Sequence, residues 1–580
     1  MVISGARILL DTLRQNDVSV VFGYPGGACL PLYDELFLYN QSLTESGSKI
    51  QHYGGCHEQA IVHAAQGYAR SSNKIGVVFL TSGPGATNGT TGIADAMLDS
   101  TPLICITSQV PTYCIGTDAF QEADIFSITR PITKHSYFVN DIKNLKNIIN
   151  EAFYLAQNGR PGPVVIDIPK DIYTQKIDDS EIITNRTRKL IEHKIDNTQI
   201  ERAVEMILLS QRPVFYCGGG AINASKVITD VAKLTRFPVT TTIMGLGVFD
   251  GHNDQSLGML GMHGSYEANM ALYESDLIIA VGVRFDDRVT GKLSGFSPNS
   301  KKIHIDIDKS EINKNVKIDL AIVSDANFVF EEIYKILIKR QTDFANIDNW
   351  WQRIKTFRDK KSFHYSQDCT KEILPQYALE KLYNVTRSYD TYVTTDVGQH
   401  QMWATQYFKF SKPRRFITSA GLGTMGFGMP AAIGCQISVV SESNNINSKK
   451  IVLCISGDAS ILMNIQELGT IKKYKLPVKI IILNNTYLGM VRQWQESFYN
   501  NRLSESDFSQ MLPDFVKLSN AFDIASATID NINDLEDAYK NMLENKGPYI
   551  LNIMVKKDEN VYPMIPPNTP HNEMILSQYD

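Results

Sequence analysis

The chain has 580 residues, 43% of them hydrophobic and 21% charged, with a formal net charge of −5. That length allows about three domains, each with its own core. The charge leaves no electrostatic footprint for nucleic acid, and no apolar run reaches the ~18 residues of a membrane span. The start, Met1 to Leu10, runs into a helical pattern without a charged and apolar leader, so the chain is expected to act where it is made or to have had a leader removed. Eight cysteines, at 29, 56, 105, 114, 217, 369, 435 and 454, show no CxxC spacing and read as buried, reduced thiols.

In chain order, Val18–Phe22 reads as a strand ending at the turn Gly23-Tyr24-Pro25-Gly26-Gly27. Glu58–Arg70 reads as a helix; Gly76–Leu80, Pro102–Thr107 and Pro163–Ile168 read as strands. The polar stretch Lys176–Asn197 reads as a linker. A second block carries strands at Pro213–Cys217, Leu277–Val281 and Lys302–Ile307. Gln341–Thr370 is polar again, with Trp350 and Trp351 suggesting that it packs onto something. The last block has strands at Tyr392–Thr395, Ile451–Ile455, Val478–Leu483 and Tyr549–Met554. Pro563, Pro566, Pro567 and Pro570 make the tail a loop or arm. The expected class is α/β: three consecutive doubly wound domains with mainly parallel sheets, over 1–175, 190–340 and 371–556, with an arm over 557–580.

The segment Ile451–Trp494 is the most informative. A buried strand ends in Gly457-Asp458-Ala459-Ser460, and a helix is expected next, with Ile461, Leu462, Ile465, Leu468 and Ile471 on one face. A second strand ends in Asn484-Asn485, 27 residues beyond Asp458, the length of one strand–helix–strand unit. Carboxyl ends of neighbouring parallel strands lie side by side, so Asp458 and Asn485 are expected at one edge. A carboxylate and an amide oxygen suit Mg²⁺, which shares its oxygens with phosphates. The amides opening the helix after Ser460 suit a diphosphate.

These residues resemble the thiamine-diphosphate signature, with Ala459 in place of its second glycine. Ala there is tolerable at negative φ and costly at positive φ. The resemblance implies that Asp458, Asn485 and the main-chain oxygen of Tyr487 hold Mg²⁺. It implies further that Gly457, Ala459, Ser460, Met490 and the loop Val397-Gly398-Gln399-His400 meet thiamine diphosphate. Glu58 opens its helix within Gly55-Cys56-His57-Glu58-Gln59-Ala60, and the glycine-rich turn Thr81–Asn88 follows, with Pro84 and Asn88 as further cofactor contacts. The cofactor's own amino group deprotonates its thiazolium C2 when a carboxyl group on the opposite ring nitrogen drives the imino tautomer; Glu58 is the candidate. Met425, in Gly421-Leu422-Gly423-Thr424-Met425-Gly426-Phe427-Gly428, is the wedge that holds the two cofactor rings in a V.

Seven strings in order then point within the thiamine enzymes. They are Phe22–Ala28, Gln109-Val110-Pro111, Ile115–Glu122, Arg160–Pro163 with Pro169-Lys170-Asp171, Gly261–Gly264, Arg284–Arg288 and Gly489–Trp494. Across about residues 5 to 575 the chain resembles the large catalytic subunits of the acetohydroxyacid (acetolactate) synthases. That resemblance implies decarboxylation of pyruvate and transfer of its two-carbon unit to pyruvate or 2-ketobutyrate. Arg288 would bind the acceptor's carboxylate, and Trp494 would wall its side-chain pocket. Gly27, Phe120, Gln121 and Lys170 would line the same channel. The middle block would hold FAD through Gly218-Gly219-Gly220, Arg160, His263, Arg284, Asp306 and Asp325. A homodimer or homotetramer and a separate small regulatory subunit are also implied. The compartment would be a plastid stroma if the gene is organelle-borne, otherwise a bacterial cytoplasm. The nearest rival is a thiamine–flavin pyruvate oxidase; glyoxylate carboligase lacks the glutamate found here as Glu58.

Overall fold

The computed structural model of the chain describes residues 2–42, 49–183, 196–340, 344, 347–367, 372–441 and 449–577. Cys369 and the greater part of the expected Lys176–Asn197 linker lie outside them, as do parts of Gln341–Thr370. Among the described residues, no helix is long and apolar enough to cross a membrane.

Three six-stranded sheets follow one another along the chain, and every pairing within them is parallel. The first runs, in spatial order, Gln51–Gly54, Val20–Gly23, Gly76–Leu80, Leu103–Gln109, Pro163–Pro169, His135–Phe138. The second runs Ser256–Met259, Val239–Thr241, Pro213–Cys217, Leu277–Val281, Lys301–Asp306, Leu320–Val323. The third runs Phe416–Thr418, Asp390–Thr395, Lys450–Gly457, Lys479–Asn484, Tyr549–Met554, Ala525–Ile529. Central strands such as Lys479–Asn484 are buried along their whole length because helices cover both faces, which is why they read as unbroken apolar runs.

The expected strands are present, shifted by one or two residues at their ends. Lys176 does not begin a linker: Lys176–Asp178 pairs antiparallel with Val2–Ser4 and ties the chain's start to the first domain. The helix expected after Asp458 is broken into Asp458–Leu462, a 3₁₀ turn at Ile465–Glu467 and Leu468–Tyr474. At the break Asn464 turns its amide to the Gly426 carbonyl (2.7 Å). Helix Ile347–Arg358 packs on the second domain: Trp350 is buried and donates to Pro213 O at 3.1 Å, and Trp351 donates to Arg236 O at 2.8 Å. Five of the cysteines are buried, but Cys56, in a loop, is exposed and Cys114, at the end of a 3₁₀ turn, is half-buried.

The first and third domains are welded by two helices. Glu58–Ser72 is capped by the His57 ring, which accepts from Gln59 N, and it closes on Asn73 in the left-handed region. It lies against Gly428–Ser441 at backbone contact: a Cβ at Gly434 would stand 1.7 Å from Ala64 O, and one at Gly67 would stand 2.1 Å from Ala431 O. Among the described residues after 557, the regular structure is a one-turn 3₁₀ helix, His571–Glu573, and an isolated bridge between Met564 and Ile575. This segment is stitched between the second and third domains, with Ile565 N donating to Met262 O (2.8 Å) and Gln493 Nε2 to Val561 O (3.1 Å).

Candidate active site

Every residue singled out from the sequence falls at or beyond the carboxyl end of a strand, apart from Arg160, which precedes the strand Pro163–Pro169. In parallel sheets that edge is where main-chain turns open and ligands bind. On the third sheet, Val397–His400 follows Asp390–Thr395, Met425 follows Phe416–Thr418, Asp458 follows Lys450–Gly457, and Asn485 follows Lys479–Asn484. These residues enclose a small cavity of about 60 Å³. Val397–His400, Met425, Gly457–Ser460, Asn485, Tyr487 and Met490 all line it.

Asp458 is 1% exposed, and burial pushes its carboxyl up to about 7. It accepts from Ala459 N (2.8 Å) and Thr486 N (2.6 Å), so the two strand ends are locked together. Asn485 Oδ1 accepts from Tyr487 N (3.1 Å). Among the described residues, no three His, Cys, Asp or Glu side chains converge on one point. An all-oxygen set of carboxylate, amide and main-chain oxygens is chemistry for Mg²⁺, not for a thiolate- or imidazole-bound metal. Ala459 lies in the first helical turn with negative φ, so the missing glycine costs the backbone nothing. His400 is buried and held neutral, its pKa lowered by burial to about 3; its Nε2 has no protein partner and is free to donate to a phosphate oxygen.

A second, larger cavity of about 1510 Å³ shares Val397, Gly398, Met425, Met490 and Val491 with the first. Arg160, Gly219, Gly220, His263, Arg284, Asp306 and Asp325 line it, as do Arg288 and Trp494. Gly218 does not reach the wall: it is pressed against the next turn, where a Cβ would stand 2.3 Å from Gly282 O. Ser324 Oγ and Glu311 Oε2, both on the wall, are buried without a protein partner. The volume exceeds that of a drug-sized site, about 300–1,000 Å³, and orphaned polar atoms on the wall fit a large polar cofactor. Arg288 is 62% exposed, reaches Asp287 only at 3.7 Å, and lies 5.7 Å over the Trp494 ring.

The first sheet's candidates lie apart. Gly27, Glu58, Pro84, Asn88, Phe120, Gln121 and Lys170 line neither cavity. Glu58 is buried, and Asn88 Nδ2 donates to its Oε2 at 3.0 Å. Gln121 sits in the left-handed region (φ 62°) beside Gly83, whose Cβ would meet Gln121 O at 2.6 Å. Phe120 is 89% exposed. The sequence reading passed over Asp396, which is 1% exposed and receives Gly426 N (2.6 Å) and Ser456 Oγ (2.9 Å). Its signal was available: a carboxylate placed directly before Val397-Gly398 at a strand end.

Comparison with known proteins agrees with this geometry. Residues 3–128 match the thiamine pyrophosphate enzyme N-terminal TPP binding domain, 200–333 the central domain and 396–553 the C-terminal TPP binding domain. The chain is thus a thiamine-diphosphate enzyme of three domains. It is 46% identical over 580 residues to the acetolactate synthase large subunit of Parasynechococcus marenigrum (strain WH8102), covering 99% of this chain and 91% of that one. To the acetolactate synthase large subunit of Pyropia yezoensis it is 45% identical, covering 99% and 95%. To the acetolactate synthase isozyme 3 large subunit of Escherichia coli (strain K12) it is 44% identical, covering 99% of both chains. The chain belongs to the acetolactate synthase large-subunit family, not to that of the thiamine–flavin pyruvate oxidases.

Proposed function

We propose that the protein decarboxylates pyruvate and joins the two-carbon unit to a second 2-keto acid. Pyruvate as acceptor gives 2-acetolactate, and 2-ketobutyrate gives 2-aceto-2-hydroxybutyrate, the first common step toward valine, leucine and isoleucine. One observation carries the reading. The exposed Arg288 guanidinium, whose ion pair with Asp287 is long at 3.7 Å, and the Trp494 ring stand together on the wall of the cavity that also holds Met425 and Met490. A guanidinium fork binds a carboxylate in bidentate fashion. An indole beside it bounds the side-chain pocket and leaves room for one more methylene, worth about 1–3 kcal/mol of preference.

The cofactors are thiamine diphosphate, Mg²⁺ and FAD. Thiamine diphosphate, when bound, supplies an electron sink for the pair released as CO₂ departs. Asp458, Asn485 and the Tyr487 carbonyl hold Mg²⁺, while Gly457–Ser460 and His400 receive the diphosphate. Met425, which lines both cavities, would hold the cofactor's two rings in a V. Glu58, which accepts a hydrogen bond from Asn88, would stand at the pyrimidine nitrogen. FAD takes the second domain's edge, with Arg160, His263, Arg284, Asp306 and Asp325 around it.

Glu58, Gln121, Lys170, Phe120 and Gly27 belong to the same reaction, yet in a single chain they line neither cavity. A second copy therefore completes each site, its first-domain edge facing this chain's third-domain edge, and the working unit is a homodimer or a dimer of dimers. The reading divides the chain at 1–175, 190–340 and 371–556, with the tail from 557, and the three successive sheets support a three-domain order. The relatives' designation as large subunits supports a separate small regulatory subunit. Relatives in Pyropia yezoensis and Escherichia coli support a plastid stroma or a bacterial cytoplasm as the compartment.

The test is a product assay on purified protein given pyruvate, Mg²⁺, thiamine diphosphate and FAD, with oxygen uptake followed in the same vessel. Acetolactate formed without matching oxygen consumption is the expected result. Acetate or acetyl phosphate formed with stoichiometric oxygen uptake would overturn it.

A further inference from the structure

Met425 stands where the two cavities join, on a loop that leaves the third sheet at Thr418 and re-enters a helix at Gly428. Side chains anchor this loop on both sides. After Met425 the anchors are local: Gly426 N donates to Asp396 Oδ1 (2.6 Å), and Asn464 Nδ2 donates to Gly426 O (2.7 Å). Before Met425 they come from the other end of the chain. Ser419 Oγ and Thr424 Oγ1 both donate to Asp95 Oδ1, the latter at 2.9 Å. Ala420 N and Gly421 N donate to the two oxygens of Asp99, at 3.0 and 2.7 Å.

Both carboxylates are buried, Asp95 within helix Thr90–Leu98 and Asp99 at its C-terminal cap. Arg70 ties the same loop down, donating to Thr418 O at 2.7 Å and standing 3.5 Å from Asp99 Oδ2. Two adjacent buried carboxylates are a costly way to close a domain boundary, which apolar side chains would close better. They differ from apolar contacts in direction: each fixes donors at a set distance and angle.

We propose that Asp95 and Asp99 are positioning residues for Met425, setting the height at which its side chain stands between the two cavities. This rests on the reading of Met425 as the cofactor's wedge. In the dimer, each first domain then acts on two sites: it offers Glu58 to the partner's cofactor and, through Asp95 and Asp99, fixes the Met425 of its own chain.

The test uses the full-length protein with Asp99→Ala, Asp99→Asn and Met425→Ala, and the Asp99→Ala/Met425→Ala double variant. The first readout needs no cofactor. In protein carrying ¹³C-methyl methionine, the Met425 resonance, one of 17 and assigned by its loss in Met425→Ala, is expected to move in Asp99→Ala. The second readout is the thiamine diphosphate Kd at fixed Mg²⁺. Asp99→Ala is expected to raise it about tenfold or more, since small misplacements at such sites are costly. In the Met425→Ala background the same change is expected to cost less than about twofold, because coupled residues are non-additive.

An unmoved Met425 resonance in folded Asp99→Ala, or equal fold-changes in both backgrounds, overturns the proposal. Should Asp99→Ala not fold, Asp99→Asn decides. It keeps the volume and one acceptor and must still move the Met425 resonance. If Met425→Ala alone leaves the Kd at the wild-type value, the wedge reading fails. The Met425 resonance then still reports whether Asp99 positions that side chain.

Discussion

The contact between helices Glu58–Ser72 and Gly428–Ser441 sets up a sharp prediction for Gly434→Ala. The added Cβ would lie 1.7 Å from Ala64 O and 2.7 Å from Tyr68 N. Ordinary carbon contacts begin near 3.5 Å, so the helices must part by about 2 Å at this point. The obstacle is backbone on both sides and cannot swing away as a side chain would. Overpacking of this kind costs about 1–3 kcal/mol, and backbone against backbone belongs at or above the top of that range. Glu58 opens the displaced helix, six residues from Ala64, so the shift reaches the proposed catalytic carboxyl as well. The assay pairs thermal unfolding with thiamine C2 proton exchange. Gly469→Ala serves as control: it lies within helix Leu468–Tyr474 and its Cβ finds nothing nearer than Cys56 Sγ at 3.4 Å. There Ala should be neutral or stabilising by up to about 1 kcal/mol. A Gly434→Ala protein that melts with the wild type and exchanges at the wild-type rate would refute the reasoning.

Glu58→Gln should keep thiamine diphosphate binding and slow C2 exchange by about a hundredfold or more; wild-type exchange measured by NMR would remove Glu58 from the mechanism. Trp494→Leu should keep acetolactate formation and lose most of the 2-ketobutyrate preference, a change of about tenfold or more in product ratio under competition; an unchanged ratio would remove Trp494 from the acceptor pocket. Asp167, buried beside Thr107 and Gln109, has its carboxyl pushed up to about 7 by burial. The folded state therefore binds more protons than the unfolded state between about pH 4 and 7, and this group lowers stability as pH rises through that window. The effect is bounded at on the order of 4 kcal/mol. Asp167→Asn should flatten the melting-temperature profile between pH 5 and 8, and a profile parallel to the wild type would show that Asp167 does not titrate there.

The sequence reading found the inner strands and missed all six edge strands, along with the three-residue inner strand Val239–Thr241. The reason is physical. An inner parallel strand is covered on both faces and both sides, so it is written as an apolar run. An edge strand such as Gln51–Gly54 or Ala525–Ile529 is partly exposed along its length and keeps polar residues, so no pattern marks it. The break at Asn464 was hidden for a related cause: Ile461, Ile465 and Leu468 keep helical spacing across it. What bends the chain is one amide bonding to Gly426, 38 residues earlier in the sequence.

The site divides along the same line. Asp458 and Asn485 were legible because each directly follows a buried strand, and His400 because its loop resembles the family's. Asp95 and Asp99 were not legible, because a carboxylate on a helix ordinarily reads as a solvated face. Only the fold shows that this helix turns its carboxylates inward, onto a loop more than 300 residues away. Local order tells which residues carry chemistry when the strand itself presents them. It is silent on residues whose work is to hold another segment still. It is equally silent on where these residues stand relative to the cavities: Asp458 lines the small one, and Glu58 lines neither. On the proposed reading a second copy of the chain brings the two together, since the carboxyl that drives the tautomer and the residues that hold metal and diphosphate must reach opposite ends of one cofactor.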